Sequence, residues 1–165
     1  MTNSLNKILT DSLRKDAMVG FLKNNPSLFE ETIKVSLGDE KPQSWRAAWL
    51  VKQYMQRNDK HIRPKINSIL KVILNKEDGH QRELLKILID MELNERQEGI
   101  LFDKCIRIWE DISKSPSVRG FAFLIITNTV KKYPELISEI SFLAQNHFIE
   151  TLSPGIRHSV IRIVK

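Results

Sequence analysis

Five arginines recur along the chain at intervals of 32, 36, 37 and 38 residues, and each opens an apolar stretch. A guanidinium forms charge-assisted hydrogen bonds to phosphate, so such a row could bind a polyanion. In a repeat protein, however, the same residue does the same local work in every unit, here joining a helix start to a neighbouring loop carbonyl or carboxylate. We favour this structural role for the repeated arginines, which are Arg14, Arg46, Arg82, Arg119 and Arg157.

Residues that could bind a metal or attack a substrate are scattered. The four histidines form no His-Glu-x-x-His pattern, and the single cysteine, Cys105, has no second thiol to pair with. Cys105 also falls in an apolar helical stripe, which favours a buried small hydrophobe over a nucleophile. The sequence therefore predicts no metal site, no cofactor and no catalytic residues. The histidines are His61, His80, His147 and His158.

Three tryptophans could stack on bases or sugars. Trp45 and Trp49 lie one helical turn apart, on what we expect to be the core side of their helix. Trp109 is followed directly by Glu110 and Asp111. This aromatic and acidic cluster is the one feature that keeps an enzyme hypothesis open.

Proline and glycine mark where the repeats begin. Pro42, Pro116 and Pro154 precede three of the arginines, and Gly79 precedes a fourth. Both residue types end one helix and permit the start of the next. A second signal, Asn25-Pro26-Ser27-Leu28, resembles the segment that begins at Tyr133-Pro134. Each repeat therefore reads as an arginine-marked first helix, a short turn and a second helix.

The apolar spacing places these helices and gives no strand alternation. We predict first helices at 13–23, 44–57, 80–93, 117–132 and 155–165, and second helices at 27–37, 60–75, 96–113 and 135–150, with a further short helix at 3–10. The apolar stripes of the second helices are Ile62, Ile66, Ile69, Leu70 and Ile73; Leu101, Cys105, Ile108, Trp109 and Ile112; and Ile140, Leu143, Ala144 and Phe148.

Two segments resemble the opening of the first helix of HEAT repeats, where Val-Arg is followed by small and apolar residues. They are Trp45-Arg46-Ala47-Ala48-Trp49-Leu50 and Val118-Arg119-Gly120-Phe121-Ala122. The unit of Arg82 departs from this pattern, since Glu83-Leu84 replaces the small pair. The resemblance implies an all-α fold, a right-handed α-α superhelix of the HEAT/ARM-like solenoid kind with four to five helix pairs. It implies a single domain over residues 1–165.

Superposing the first helices on their arginines separates two faces, because a helix turns about 100° per residue. One face holds Trp49, Leu85, Phe121, Ala122 and Ile125, which we expect in the core. The opposite face would line the concave side of a HEAT-like solenoid, although flanking helices or the termini could cover it instead. Its apolar residues with charges between them predict a binding surface. The candidates are Leu50, Tyr54, Lys86, Asp90, Phe123 and Thr127.

Composition narrows the function further. The chain has 165 residues and a formal net charge of +6, with 26 basic residues spread among 20 acidic ones. Its longest apolar run, Phe121 to Ile126, is too short to span a bilayer, and no apolar segment follows Met1 as in a secretory signal. We expect a cytoplasmic protein with no membrane association.

These observations favour a non-enzymatic HEAT-like module that binds a protein or peptide on its concave face. The alternative is a nucleic-acid-associated protein related in fold to the HEAT-like alkylpurine DNA glycosylases. Those enzymes place aromatic residues and a carboxylate in a basic cleft, and the continuous basic face is missing here. A third alternative is a purely structural accessory protein. The sequence does not identify the partner or the oligomeric state.

Overall fold

The computed structural model describes residues 2–11 and 14–164, without the side chains of 139–141, 163 and 164. Within these residues every regular element is a helix, which confirms the prediction of an all-α fold. The predicted stripe member Ile140 and the predicted helix start at Leu13 lie outside what is described. The chain divides into two compact units, Met1–Glu92 and Leu93–Lys165. The expectation of a single domain stays a prediction.

Unit 1 contains six α-helices in its described part. They are α1 (Asn3–Thr10), α2 (Lys15–Asn24), α3 (Phe29–Ser36), α4 (Gln43–Tyr54), α5 (Ile66–Val72) and α6 (Asp78–Leu88), with 3-10 turns at Pro26–Leu28, Arg63–Lys65 and Ile73–Asn75.

Helix α4 is the centre of unit 1, and it packs against α1, α2, α3 and α6. Ala47 and Ala48 are fully buried and let neighbouring backbones approach, while Leu50 and Val51 fill the space on other sides of the helix. All five residues of the predicted stripe that begins at Ile62 are buried as well. The core of this unit therefore surrounds a helix that is covered on several sides.

Unit 2 contains five described α-helices. They are α7 (Glu95–Glu110), α8 (Pro116–Lys132), α9 (Ile137–Leu143), α10 (Asn146–Ile149) and α11 (Pro154–Val164), with a 3-10 turn at Pro134–Leu136.

Local sequence explains how the helices of unit 2 begin and pack. Asn94 and Gln97 form a capping box at the start of α7, each side chain accepting from the other's backbone N–H. Pro116 occupies the first position of α8, where its missing N–H costs nothing. Helix α8 packs against α7, α9 and α11, and it is the central helix of this unit.

Each predicted helix overlaps an observed one, but several boundaries differ by three residues or more. Helix α4 ends at Tyr54 and not at 57, and the helix predicted from residue 60 begins only with the 3-10 turn at Arg63.

Helix α6 ends at Leu88 and α7 at Glu110, each earlier than predicted. The predicted helix 135–150 is interrupted at Gln145, whose backbone is extended before α10 starts. Ile112 therefore lies beyond the end of α7 and is exposed, although it belongs to the predicted stripe.

Arg119 lies fully buried and joins three elements of unit 2. Its Nε donates to the carbonyl of Trp109 at 2.9 Å, and its Nη1 donates to Thr151 Oγ1 at 2.8 Å. Its Nη2 donates to the carbonyl of Phe148. The guanidinium also lies 4.9 Å from the centre of the Trp109 ring. These contacts satisfy carbonyls at the end of α7 and within α10 that would otherwise be buried without a donor.

The other arginines of the row differ in what they contact. Arg46 Nη1 lies 2.9 to 3.1 Å from three carbonyls at the end of α1, those of Leu9, Thr10 and Asp11. Arg157 donates to the carbonyls of Ile149 and Glu150. Arg82 instead bonds the carboxylate of Glu83, and the exposed Arg14 bonds that of Asp16. A guanidinium directed at internal carbonyls has few donors left for a phosphate.

The core prediction is wrong at three aromatic residues. Trp45 is 39% exposed, and Trp49 is only partly buried, with the ammonium of Lys15 at 5.4 Å from its ring centre. Phe121 is also only partly buried, whereas Phe123 is in the core against Trp109 at a ring distance of 4.4 Å. The superposition assumed one core face on each first helix, but α4 and α8 are covered on several sides.

We expect Arg119→Lys to lower the free energy of unfolding by at least about 2 kcal/mol. An ammonium cannot span the three acceptors, and each buried acceptor without a donor costs about 1–3 kcal/mol. Urea unfolding followed by circular dichroism measures the change. Arg14→Lys is the matched control and should stay within about 0.5 kcal/mol of the wild type. Equal stability of the two variants would contradict the bonding role of Arg119.

His80 makes the stability of unit 1 depend on pH. Burial is the largest cause that lowers the pKa of His80, and the nearby Lys76 lowers it further. A hydrogen bond to the carbonyl of Ser36, at 2.7 Å, and the charges of Asp39 and Glu77 act in the opposite direction. There is therefore a pH range in which the His80 imidazole is neutral in the folded protein but protonated in the unfolded chain.

The wild type should therefore lose stability as the pH falls below about 6.5, the pKa of an unfolded histidine. The loss continues until the pH passes the lower pKa of the folded state. In His80→Gln the amide can still donate to Ser36, so the melting temperature should change less between pH 7 and pH 5. If His80→Gln loses as much stability as the wild type over this pH range, the pH dependence comes from another group.

Candidate functional site

The predicted row of binding residues is mostly buried. Leu50 is 0% exposed, Phe123 is 1% exposed and Thr127 is 2% exposed. The Thr127 hydroxyl is used within its own helix, where it donates to the carbonyl of Leu124 at 2.9 Å. The expectation that these three side chains form part of an open surface is wrong. Neighbouring helices enclose α4 and α8 on several sides, so the face that was assigned to solvent is covered.

The two charged members of the row, both in unit 1, are paired. Lys86 contacts the carboxylate of Glu83 at 3.1 and 3.3 Å, and Glu83 itself is buried. Asp90 accepts from Lys52 at 2.6 Å. Lys86 compensates a buried charge, since an unpaired buried carboxylate would be costly.

Tyr54 differs from the other predicted residues because it lines a cavity of about 930 Å³ in unit 1. The cavity lies where α2 and α4 end and where the turn into α3 begins. The loop that follows α4 completes its wall, with Lys23, Arg57, Lys60 and His61 among the lining residues. We call it the Tyr54 pocket, and its volume falls within the range of ligand sites.

Aromatic rings form one wall of the Tyr54 pocket. The buried Phe29 ring lies 4.9 Å from the Tyr54 ring, at an interplanar angle of 55°. The His61 ring meets the edge of Phe29 at 5.7 Å, and His61 Nδ1 lies 3.0 Å from Glu30 Oε1. The Tyr54 hydroxyl forms no hydrogen bond with any described residue. The wall therefore offers an apolar ring surface with a free polar group at its edge.

The loop after α4 holds its shape through its own polar groups. Asn58 has a φ of 53°, a left-handed conformation that asparagine tolerates better than most residues. Its N–H donates to the carbonyl of Asp90 at 2.8 Å, and its Oδ1 accepts from Glu92 N at 3.3 Å. The Asp59 carboxylate accepts from the backbone N–H groups of Gln56 and His61.

Three cations line the pocket without a partner in the described part of the chain. The side chains of Lys23, Arg57 and Lys60 are exposed, and they make no ion pair or hydrogen bond with the residues that the structure describes. Arg57 and Lys60 belong to segment 57–65, which contains four basic residues and one acid, Asp59. The segment carries 4 − 1 = +3, half of the net charge of the chain.

Sequence reasoning missed these cations, although their signal is visible. The search was for one basic stripe along the first helices, whereas segment 57–65 follows the end of one. A count of charge in windows of about nine residues would have found it. That such a segment adjoins Tyr54 depends on how the loop folds back towards α2.

Two smaller cavities also contain charged side chains, and several of these are paired. In the one near Trp45, of about 490 Å³, Lys76 bonds the carbonyls of Leu37 and Gly38 as well as Asp39, and Lys41 bonds Glu77.

The other small cavity, of about 440 Å³, lies in unit 2. There Glu98 accepts from Lys132 and from the Tyr133 hydroxyl, each at 2.7 Å. These contacts lower the pKa of Glu98 although burial acts to raise it.

The Trp109 cluster does not form a reactive cleft. Trp109 is buried, and its indole N–H donates to the carbonyl of Leu143 at 2.9 Å. Asp111 caps the backbone N–H of Ser113, and Glu110 points away from the core as an exposed residue. Cys105 is buried, as expected, and burial raises the pKa of its thiol. No metal-binding group of His, Cys, Asp or Glu occurs among the described residues.

A family model for the HEAT repeat domain matches residues 2–165. The chain belongs to the HEAT repeat family. The resemblance seen at Trp45–Leu50 and Val118–Ala122 is thereby confirmed. No curated protein and no solved structure matches this HEAT repeat chain. None of its described helices has the length and apolar composition to cross a membrane.

Replacing Asn58 should test how firmly the loop is held. Asn58→Val places a β-branched side chain at a positive φ and removes the acceptor of Glu92 N, so we expect a loss of about 1–2 kcal/mol or more. Thermal unfolding should show a melting temperature lower by several degrees, at about 2–4 °C per kcal/mol. Asn58→Gly is the control, because it keeps the backbone unstrained and loses only the side-chain bond. If the valine variant melts with the wild type, the loop is not constrained at this residue.

Proposed function

We propose that this HEAT repeat chain is a non-enzymatic module that binds a peptide segment of a partner protein in the Tyr54 pocket. Proteins of the family are helical repeat scaffolds that typically mediate protein interactions. The family alone does not select a surface, because fold and function are separable. We choose the Tyr54 pocket as the binding surface because of the residues that line it.

The observation that carries the proposal is the cavity itself. A space of about 930 Å³ accepts a short stretch of peptide, and its wall combines the Tyr54 and Phe29 rings with the pocket's three cations, which have no partner among the described residues. Aromatic anchors with polar groups around them are the composition of binding hot spots. The proposed surface lies at helix ends, and not along the face that holds Leu50.

The nucleic-acid alternative has one observation in its favour, the basic segment 57–65. The enzymatic version of this alternative, a DNA glycosylase, has lost support, because the Trp109 ring is buried and cannot stack on a base. The pocket offers the partly buried rings of Tyr54 and His61 and the buried ring of Phe29 as stacking surfaces. We therefore treat nucleic acid as a competing outcome of the binding experiments.

Tyr54→Ala should weaken peptide binding strongly, with little effect on folding. Peptides selected from a random library against the wild type would be measured by fluorescence anisotropy, and their site mapped by NMR chemical shifts. Loss of a central aromatic anchor costs about 2 kcal/mol or more, roughly a thirtyfold rise in Kd.

Tyr133→Ala is the matched control, because Tyr133 is the other tyrosine, is also partly buried and lies in unit 2. It should bind the selected peptides as the wild type does. Peptides that bind the Tyr54 variant undiminished, or that shift resonances only in unit 2, would defeat the proposed site.

A further inference from the structure

We infer that the peptide recognised by the Tyr54 pocket is acidic, with carboxylates that pair with Lys23, Arg57 and Lys60 and an apolar side chain against Tyr54. This inference rests on the proposed function and specifies the partner's chemistry. It follows from which charged groups at the pocket already have partners among the described residues and which do not.

The two acids of the pocket already contact other groups of the protein, although Glu30 remains exposed. The Asp59 carboxylate accepts two backbone N–H groups of its own loop. The Glu30 carboxylate contacts the His61 ring at 3.0 Å. The three cations have no such engagement among the residues described. A ligand therefore meets free ammonium and guanidinium groups, and carboxylates whose lone pairs are partly occupied.

The partial negative charges at two helix ends repel an acidic ligand only weakly. The carboxyl-terminal ends of α2 and α4 lie at the pocket, and each contributes roughly −0.5 of a charge. Together they roughly cancel the net charge of 3 − 2 = +1 that the three cations leave after Glu30 and Asp59 are counted. Beyond the lining, Arg63 and Lys65 are exposed at the start of the next helical segment and add two positive charges.

The cations could instead serve only to stabilise those helix ends. Lys23 lies in the last turn of α2, where a positive charge is favourable. Arg57 and Lys60 lie past the end of α4, beyond the last turn within which the effect is strong. A purely structural role would appear as a lower melting temperature with no change in binding.

A peptide fits these features better than a nucleic acid. Single strands bind along a basic groove on successive stacked rings, and duplexes need a long track of phosphate contacts. The pocket has two partly exposed rings, those of Tyr54 and His61, and its three cations share the lining with the acids Glu30 and Asp59. A peptide can place carboxylates at the cations and other side chains at the two acids, whereas a nucleic acid carries a phosphate at every nucleotide.

The experiment compares three fluorescent peptides of equal length on the full chain. One alternates Asp and Glu with Leu, one replaces the acids by Asn and Gln, and one replaces them by Lys and Arg. We expect the acidic peptide to bind at least tenfold tighter than the neutral one, with an affinity that falls as salt rises. A single-stranded oligonucleotide serves as competitor.

The charge-reversal variant Arg57→Glu/Lys60→Glu should weaken binding of the acidic peptide at least tenfold and flatten its salt dependence. Lys34→Glu/Lys71→Glu is the matched control, since both lysines are exposed in the same unit and do not line the pocket. It should change the affinity less than threefold. The milder Arg57→Gln/Lys60→Gln replaces the reversal if circular dichroism shows that the latter is unfolded.

Each result decides between the proposals. Equal binding of the acidic and neutral peptides, sensitive to Tyr54→Ala but not to charge reversal, would overturn the acidic specificity and leave the pocket as a peptide site. Absence of binding by all three peptides would overturn both proposals. An oligonucleotide that displaces the acidic peptide and binds more tightly would replace it with a nucleic-acid ligand. If the control variant lost as much affinity for the acidic peptide, the effect would come from the net charge of the protein and not from the cations of the pocket.

Discussion

Every helix of this chain ends in backbone carbonyls that have no donor within the helix, and donors from later elements bond to several of them. Arg46 reaches back to the end of α1, and Lys76 to the carbonyls after α3. In unit 2, Arg119 bonds the end of α7, and Arg157 bonds the end of α10. An unbonded buried carbonyl costs about as much as a lost hydrogen bond, so these contacts fix how successive elements stack within each unit.

The Tyr54 pocket lies at helix ends that are satisfied differently. Asn25 caps α2 from its own sequence, through a bond to the carbonyl of Phe21. After α4 the chain forms a loop whose own groups, at Asn58 and Asp59, bond its backbone. No arginine of the repeated row lines this pocket, and the cations nearby are left for a ligand in our proposal. The same constraint thus uses charged donors at the ends of α1, α3, α7 and α10, and it leaves the pocket's cations near the ends of α2 and α4 unused by the described residues.

Because the central helices are enclosed by their neighbours, a partner cannot reach their buried side chains. Helix α4 has neighbours on several sides, as α8 has in unit 2, so apolar residues around their circumference are core. Leu50 and Phe123 contribute to stability in this way and are closed to a partner. In our proposal the ligand instead binds where helices end, at the Tyr54 pocket of unit 1, which has a volume of about 930 Å³.

The sequence by itself determined the helical class, the positions of the helices and the HEAT repeat family, because the repeated arginines, the prolines and the three-and-four apolar spacing are local signals. It also singled out Tyr54. Tertiary structure alone decided that Leu50 and Phe123 are buried and that Trp45 is exposed. Periodicity shows that a helix forms but not how many neighbours cover it. The approach of segment 57–65 to Tyr54 likewise depends on a loop held by Asn58 and Asp90, residues far apart in the chain.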